Sequence, residues 1–265
     1  MKPPVYSADW PEDVQALYRH DMQEIWDRRI SPQIWNQYHN QLDYYLGIAG
    51  NEPLKILDVG CAQGTLALKL AELGHRVTAV DIRQQFLEYA RSRHEDGDIQ
   101  FLQANVLEDE LPGDFDLIFA NQIIEHLVYP AELLQRLKNL LKPGGRLVVT
   151  TPNGDYVKNG LPSYRDLGNP KDWEHMQFSA DGDGHFYAYR SRELIDFFKA
   201  SGFSEVKAKF FETPFISGHM KLRYLHGVTP TTLLRVADRS LLLMPWLRKK
   251  MTHQLLLMGT CPLEA

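Results

Sequence analysis

The sequence predicts an α/β fold with a seven-stranded, mostly parallel sheet and helices on both faces. Short apolar runs alternate with helical segments between residues 54 and 152. Such alternation requires crossover connections, which place helices on the two faces of a parallel sheet. Two further strand-like runs, 203–212 and 253–261, bring the number of strands to seven. The 265 residues suffice for one large domain or one domain with an insertion.

The elements between residues 54 and 152 follow one another in a regular order. Gly74 ends the first helix, and Pro130 occupies the first turn of the third, where proline is tolerated. A further helix at 191–202 has Ser191 as its N-cap and Gly202 at its end. The strands are predicted at 54–59, 76–81, 99–105, 115–121 and 146–152, and the helices at 65–73, 83–93 and 130–141.

Three other segments complete the organisation. Residues 1–50 carry apolar side chains at intervals of three and four, which predicts a helical N-terminal cap that breaks near Ser31-Pro32. Residues 51–265 form the main domain, and residues 213–250 within it are predicted to be a C-terminal helical insertion. Residues 152–189 are predicted to be a lid loop, in which Asp181 and Asp183 serve turns. Its aromatic side chains argue against disorder: Trp173, Phe178, Phe186, Tyr187 and Tyr189.

Composition and charge exclude several classes of protein. The net charge is −5, so we expect no basic surface for nucleic acid. No signal peptide or transmembrane helix is expected, because the N-terminus lacks an apolar run and no apolar run approaches about 18 residues. The two distant cysteines, Cys61 and Cys261, favour reduced thiols and a cytoplasmic protein.

The stretch ILDVGCAQGTLALKL, residues 56–70, predicts a strand, a glycine turn and a helix that bind a nucleotide-like ligand. It does not match the dinucleotide pattern G-x-G-x-x-G, nor the phosphate loop that ends in G-K-[ST]. The turn keeps Gly60 and Gly64, while Ala62 is tolerated if its φ stays negative. Two glycines alone are also typical of an ordinary strand-to-helix turn.

Acidic and amide residues follow the predicted strands. Asp81 closes the second strand 21 residues after Gly60, where a carboxylate can accept hydrogen bonds from ribose hydroxyls. A helix N-cap is the alternative role for Asp81. Ligands of such sheets lie at the carboxyl ends of the strands, and the residues at those ends are Asp58, Gly60, Asp81, Asn105, Asn121 and Gln122.

Four motifs in this order resemble those of the class I S-adenosylmethionine-dependent methyltransferases, which have a Rossmann-like fold. They are ILDVGCAQG, VTAVDI, FDLIFANQIIEHL and LLKPGGRLVVTTPN. The resemblance implies S-adenosylmethionine as methyl donor and S-adenosylhomocysteine as product. It also implies three groups of cofactor contacts: Asp58, Gly60, Cys61, Ala62 and Gly64 at the methionine end; Asp81 at the ribose, with Ile82, Asn105 and Val106 around the adenine; and Asn121 and Gln122 near the sulfonium.

The segment NQIIEHL is the candidate for acceptor chemistry. Helical spacing would place Gln122, Glu125 and His126 on one face, with His126 as a general base that Glu125 orients. His185 in the lid is a second candidate base, and a purely structural Glu125–His126 pair is a further interpretation.

The same residues are candidate metal ligands. Coenzyme Q O-methyltransferases and small-RNA 2′-O-methyltransferases carry E-x-x-E-H here with metal-ligating roles, so this resemblance makes Glu125, His126 and His185 a candidate set. Gln122 replaces the first carboxylate of that pattern, which weakens binding of a hard cation. We therefore expect no divalent metal.

These features favour methyl transfer to an oxygen of a small molecule or glycan, such as a sugar or secondary metabolite. The acidic chain lacks a basic module for RNA, and an aromatic lid suits a sugar or an aromatic ring. The alternatives are an N-methyltransferase acting on an amine and a non-catalytic cofactor-binding partner, which Ala62 would favour. Residues 241–250, LLLMPWLRKK, are apolar and then basic, so they suit either peripheral membrane contact or a core or dimer helix. We expect a monomer or a homodimer.

Overall fold

The computed structural model of the chain describes residues 1–177, 185 and 187–263. Its strands are β1 (Lys55–Val59), β2 (Arg76–Asp81), β3 (Asp98–Gln103), β4 (Phe115–Asn121), β5 (Leu141–Pro152), β6 (Ser204–Phe211) and β7 (Gln254–Thr260). They form one seven-stranded sheet in the order β3-β2-β1-β4-β5-β7-β6. β1 is parallel to β2, β2 to β3 and β4 to β5, whereas β7 is antiparallel to β5 and β6. The prediction of a seven-stranded, mostly parallel sheet is confirmed.

The helices predicted at 65–73, 83–93, 130–141 and 191–202 begin and end within two residues of those bounds. Ser31 precedes the second helix, and its hydroxyl accepts a hydrogen bond from the Ile34 N–H at 3.4 Å. The α-helices are α1 (Glu12–Asp21), α2 (Pro32–Ala49), α3 (Thr65–Glu72), α4 (Gln84–Ser92), α5 (Pro130–Leu140), α6 (Ser191–Ala200), α7 (Pro214–Ser217), α8 (Thr231–Leu242) and α9 (Pro245–Met251). A π-helical turn, Met22–Trp26, continues directly from α1.

The chain divides into two compact units. The first comprises residues 1–109 and 214–238, and the second comprises residues 110–213 and 239–265. In the first unit, an apolar cluster of Val14, Leu17, Phe86 and Tyr89 joins α1 to α4. Helix α1 therefore shares an apolar core with α4 and with Ala62 of the turn between β1 and α3.

In the second unit, two local predictions are wrong. β5 begins at Leu141 rather than at residue 146, because the KPGG segment continues along β4 with a shift of register. A Cβ on Gly145 would lie 2.8 Å from the Phe115 carbonyl oxygen, so glycine permits this close approach. Ser191 is the first residue of α6 and not its N-cap; its hydroxyl donates to Asp155 at 2.7 Å instead.

The described part of the predicted lid loop, 152–189, contains two short 3₁₀ helices, Tyr164–Leu167 and Pro170–Met176. Of the lid aromatics, Tyr187 and Tyr189 are buried, and the indole N–H of Trp173 donates to the Leu167 carbonyl at 2.9 Å. Phe178, Asp181, Asp183 and Phe186 lie outside the described residues. Within the described ranges, no helix has the length and apolar character needed to cross a membrane.

Candidate active site

The glycine turn between β1 and α3 has a left-handed backbone at three residues. The φ angles are 66° at Gly60, 46° at Ala62 and 77° at Gly64. The Gly64 N–H closes the turn by donating to the Cys61 carbonyl at 2.7 Å. A Cβ on Gly64 would lie 2.6 Å from the Cβ of Ala90. Glycine is therefore needed at this position both for its φ and for the close packing of α3 on α4.

Ala62 has a positive φ, which contradicts the expectation of a negative one. A left-handed alanine costs roughly 1–2 kcal/mol. Two contacts offset this strain. The Ala62 N–H donates to Asp81 Oδ2 at 3.0 Å, and Ala62 packs against the apolar cluster of Val14, Leu17, Phe86 and Tyr89. The alanine thus matches its neighbours, which argues against a degenerate turn.

Asp81 ends β2 with a carboxylate that is 2% exposed. Besides the bond from Ala62, it accepts hydrogen bonds from the Arg83 N–H at 3.0 Å and from Arg83 Nε at 3.1 Å. Arg83 occupies the N-cap position of α4. The alternative role of Asp81 as a helix N-cap is therefore wrong. A ribose hydroxyl would have to share Asp81 with the half-exposed Arg83 side chain, which can move aside at little cost.

Asp58 and Cys61 are both buried beside this carboxylate. Burial, followed by the negative charge of Asp81, raises the pKa of Asp58 to about 7. Burial and the same acidic neighbours raise the pKa of the Cys61 thiol, so Cys61 is not a reactive thiolate. A positively charged group bound near Asp58 would restore its ionised form.

The predicted adenine contacts lie at the ends of β2 and β3. Ile82 is 52% exposed, an unusual state for an isoleucine that directly follows a buried strand. Asn105 shapes the turn after β3: its Oδ1 accepts from the Leu107 N–H at 3.1 Å, and its own N–H donates to Asp109. Val106 is half-buried in this turn. The adenine-binding role of these three residues stays a prediction.

A buried network of hydrogen bonds and one ion pair, which the sequence did not predict, holds the glycine turn. Arg93, fully buried, donates to the Gln63 carbonyl at 2.6 Å and to the Thr65 hydroxyl at 3.1 Å. Its guanidinium also pairs with the fully buried Asp21 of α1 at 2.9 Å. Tyr89 donates to the other Asp21 oxygen at 2.8 Å. The turn is thereby tied to the N-terminal helix through one cation.

The π-helical turn contributes a second contact to the same loop. Glu24 accepts a hydrogen bond from the Gln63 side chain at 2.7 Å. Burial, with a contribution from the charge of Asp21, raises the pKa of Glu24 to about 8. The extra residue of a π turn shifts side-chain direction within a helix, and no periodicity in the sequence signals it.

In the second unit, Asn121 ends β4 and Gln122 follows it, and both side chains belong to a network of hydrogen bonds. Gln122 Nε2 donates to Thr150 Oγ1 at 3.2 Å and to Gln254 Oε1 at 2.9 Å, and the Thr150 hydroxyl donates to Asn121 at 3.0 Å. Gln122 has a φ of 53°, and the 3₁₀ turn that follows it comprises Ile124–His126 and does not include Gln122. The prediction that Gln122, Glu125 and His126 share one helical face is therefore wrong.

Glu125, His126 and His185 nevertheless lie together. Their candidate ligand atoms are all within 4.8 Å of one another. His185 Nε2 is 3.7 Å from Glu125 Oε1, and the two imidazole centroids are 4.9 Å apart. These are the three residues that the family resemblance implies as a candidate set, although His185 comes from the lid and is distant from the other two in sequence.

The carboxyl group of Glu125 is fully buried and poorly satisfied. Among the described residues, no hydrogen bond of good geometry reaches either of its oxygens. Burial raises the pKa of Glu125 to about 8, and the nearby Thr151 hydroxyl offsets only part of this effect. Burial and the neighbouring His126 lower the pKa of His185. A protonated carboxyl and a neutral imidazole are therefore favoured near pH 7.

Two tyrosines that the sequence did not single out for the site hold the Ile124–His126 turn. The Tyr187 hydroxyl lies 2.8 Å from the Ile124 carbonyl and 2.6 Å from the Leu127 carbonyl. The Tyr189 hydroxyl is 2.9 Å from that of Tyr187. Because Tyr187 is two residues after His185, these contacts anchor the lid close to the place where His185 meets Glu125.

This donor set fits a metal ion, although of a different kind from magnesium. One carboxylate and two imidazoles suit a borderline cation such as zinc, while magnesium prefers oxygen ligands. The buried Glu125 carboxyl group, which receives no hydrogen bond of good geometry from the part of the chain that the structure describes, is also compatible with ligation. Glu125, His126 and His185 would hold such an ion, and the expectation that no divalent metal is needed stays a prediction.

Comparison with known proteins identifies the family. The sequence profile of the methyltransferase domain matches residues 18–208. A ubiquinone biosynthesis O-methyltransferase of Pseudomonas aeruginosa is 34% identical over 118 residues, covering 43% of this chain and 50% of that protein. The chain thus spans about half the length of this curated relative.

Solved structures show the same fold. An S-adenosylmethionine-dependent methyltransferase from Mesorhizobium loti superposes with a TM-score of 0.58 at 19% identity, covering 85% of this chain and 97% of the other. A Haemonchus contortus phosphoethanolamine N-methyltransferase bound to S-adenosylmethionine gives 0.59 at 17% identity, covering 97% and 61%. With the profile match, the glycine turn and the strand order, these similarities show that the chain belongs to the methyltransferase-domain family and has the fold of the class I S-adenosylmethionine-dependent methyltransferases.

Proposed function

We propose that this methyltransferase acts on an oxygen of a small molecule or glycan, such as a sugar or secondary metabolite. The observation that carries the proposal is the His185–Glu125 contact of 3.7 Å next to His126. An alcohol or phenol must lose its proton as it attacks, and a neutral imidazole with a lowered pKa is suited to accept that proton. S-adenosylmethionine, when bound, supplies an electrophilic methyl group on a sulfonium.

The residues of the first unit fit this cofactor. Asp58 and Asp81 are two buried carboxyl groups beside a turn whose positive φ angles allow the backbone to approach a ligand. We assign Asp81 to the ribose hydroxyls and Asp58, Gly60 and Gly64 to the methionine end. In the second unit, Asn121 and Gln122 are held by Thr150 and Gln254, which suits a fixed contact near the sulfonium.

The proton transfer follows from the geometry of the His185 ring. With a proton on Nε2 facing Glu125, Nδ1 is the nitrogen that accepts the proton of the acceptor hydroxyl. Loss of that proton to His185 would leave the acceptor oxygen as the nucleophile for the methyl group that bound S-adenosylmethionine would supply. The imidazolium that results lies 3.7 Å from Glu125, and its positive charge favours release of the Glu125 proton, so that an ionised carboxylate then stabilises it.

The acceptor class rests on charge and shape. The net charge of −5 disfavours a nucleic acid, and the matched relative from Pseudomonas aeruginosa is named as an O-methyltransferase. Tyr164, Tyr187 and Tyr189 pack on one another, so they are not free to stack on a sugar. Recognition of the acceptor therefore falls to other residues of the lid and the helical insertion.

N-methylation is the second candidate, since the Haemonchus contortus structure is that of an N-methyltransferase. A neutral amine is already nucleophilic and needs less help from a base. A non-catalytic cofactor-binding partner is a third candidate, and the good fit of Ala62 to its neighbours argues against it.

The test combines cofactor binding with acceptor turnover. Calorimetry should show S-adenosylmethionine binding; no binding at millimolar cofactor would refute both enzyme proposals. Product mass spectrometry on a panel of hydroxyl and amine acceptors should identify an O-methylated product. The double variant His126→Ala/His185→Ala should lose about 10²- to 10⁴-fold in turnover, whereas His175→Ala, an exposed lid histidine, should not. Full activity of the double variant would favour N-methylation.

A further inference from the structure

The junction of α8 and α9 exposes three large apolar side chains within four residues. Leu243 is 82% exposed, Met244 47% and Trp246 74%. Burial of large apolar side chains is ordinarily favourable. A compact group of exposed ones at a helix junction therefore indicates an interaction surface. We call residues 239–250 the junction segment.

The charge of the junction segment is opposite to that of the chain. Arg239, Arg248, Lys249 and Lys250 are its charged residues, and no acidic residue occurs between Arg239 and Leu263, although the whole chain has a net charge of −5. Arg239, Arg248 and Lys250 are exposed, and none of the ion pairs among the described residues involves them. Lys249 alone is paired, with Asp155 at 3.3 Å. Three cations therefore remain available next to the apolar tip.

One apolar side chain and one cation of the junction segment lie close together on α9. Trp246 and Lys250 are four residues apart and so lie on one side of the helix, one above the other. Tryptophan prefers the boundary between lipid headgroups and acyl chains, and lysine and arginine interact with anionic headgroups. An apolar tip that is flanked by cations and lacks acidic residues matches that boundary better than it matches a protein core.

The junction segment is firmly attached to the strand end that carries the candidate active site. Asn153 directly follows β5, and its amide donates to the Lys249 and Thr252 carbonyls, each at 2.9 Å. The Val157 N–H donates to the Lys250 carbonyl at 2.9 Å. Thr151, two residues before Asn153, lies beside Glu125. A surface that rests on the junction segment would thus be held at a constant place relative to the catalytic cluster of the same unit.

We propose that the junction segment binds the surface of an anionic lipid bilayer, with Leu243, Met244 and Trp246 inserted at the headgroup level and Arg239, Arg248 and Lys250 against lipid phosphates. The contact is peripheral, because no helix among the described residues can span a membrane. It is separate from methyl transfer and would bring the enzyme to acceptors that are attached to lipid. The same patch could instead cover a second copy of this chain, and the experiment separates the two occupants.

The full-length protein is mixed with phosphatidylcholine vesicles, with or without one-third phosphatidylglycerol, and sedimented. We expect binding to the anionic vesicles that weakens at high salt. Leu243→Ser/Trp246→Ser should reduce partitioning about tenfold or more, and Arg248→Gln/Lys250→Gln should remove the preference for anionic lipid. The matched control is Val5→Ser/Ile30→Ser, at positions 86% and 58% exposed, which should bind as the wild type does.

Two results would overturn the proposal. One is wild-type protein that stays in the supernatant with anionic vesicles. The other is a concentration-dependent dimer in sedimentation velocity that Leu243→Ser/Trp246→Ser abolishes, with no lipid binding. All substituted side chains are exposed, and circular dichroism with cofactor calorimetry verifies that each variant is folded.

Discussion

The glycine turn of the first unit and the Ile124–His126 turn of the second unit present buried polar groups in different ways. Around the glycine turn, Asp81 accepts hydrogen bonds from Ala62 and Arg83, and Asp21 pairs with Arg93. In the other turn, neither oxygen of Glu125 has a hydrogen bond of good geometry among the described residues, and His185 lies 3.7 Å away.

The difference indicates what each region requires of its ligand. A group whose partners are already in place is pre-organised and binds a constant ligand with little rearrangement. A buried carboxyl without partners carries a free-energy cost that a bound acceptor or ion can relieve. The first turn is thus built for a cofactor common to the family, and the second is completed only when its own ligand arrives. Four substitutions would break or sharpen this contrast.

The largest expected effect comes from removing the cation that ties the glycine turn to α1. Arg93→Met leaves Asp21 as a fully buried charge without its partner, and breaking a buried ion pair in this way costs about 3–5 kcal/mol of unfolding free energy. Urea denaturation measures the loss. Asp21→Asn/Arg93→Met should recover part of it, because the uncompensated charge is gone. A loss below about 1 kcal/mol for the single variant would mean that the pair does not hold the turn.

The next effect tests the close packing of the glycine turn. Gly64→Ala adds a Cβ 2.6 Å from the Ala90 Cβ at a φ of 77°, so strain and overpacking add to about 2–4 kcal/mol. Gly74→Ala is the matched control: its φ is 90° and no atom lies within 4 Å of the added Cβ. The control should lose about 1–2 kcal/mol. Equal losses in thermal or urea unfolding would show that the contact with Ala90 is unimportant.

A smaller, pH-dependent effect tests the unsatisfied carboxyl. Burial raises the folded-state pKa of Glu125 from 4.5 to about 8, so the folded protein binds more protons than the unfolded chain between these values. The contribution of Glu125 to the unfolding free energy is therefore fully present below about pH 4.5. It is lost as the pH rises towards 8, at a rate of at most about 1.4 kcal/mol per pH unit. Glu24 and Asp58, whose pKa values are also raised, act in the same direction.

Glu125→Gln should reduce the slope of unfolding free energy against pH between pH 5 and 8 by the amount that Glu125 contributes, because the amide does not titrate. Urea unfolding at several pH values measures it, with Glu205→Gln, an exposed surface carboxyl, as control. An unchanged slope would show that Glu125 is already ionised in the fold, as it would be beside a bound cation. Chelator treatment then separates that explanation from partial protonation.

The sequence predicted the strands and helices well because apolar periodicity and glycine or proline boundaries are local signals. It also predicted Asp58, Gly60, Gly64 and Asp81 as neighbours, since these residues follow adjacent parallel strands. It could not predict the Arg93–Asp21 pair, which joins residues 72 positions apart through packing alone. Nor could it predict that Gln122 leaves the helical face of Glu125, because one residue with a φ of 53° redirects the chain. The positive φ of Ala62 was not predictable either, because no local sequence pattern signals the backbone angle of a single residue.

The smallest expected effect concerns Ala62 itself. Ala62→Gly relieves the strain of a positive φ of 46°, which favours the variant by roughly 1 kcal/mol. The substitution also removes a methyl group that packs on the cluster of Val14, Leu17, Phe86 and Tyr89. In addition, glycine raises the conformational entropy of the unfolded chain, which disfavours folding. These contributions oppose each other, so unfolding free energy should change by less than about 1 kcal/mol and S-adenosylmethionine affinity by less than about threefold. Calorimetry on both proteins measures the affinity. A large gain in affinity would show that the alanine strains the turn away from its binding conformation, whereas a large loss would show that the N-terminal helix holds the turn through this one methyl group.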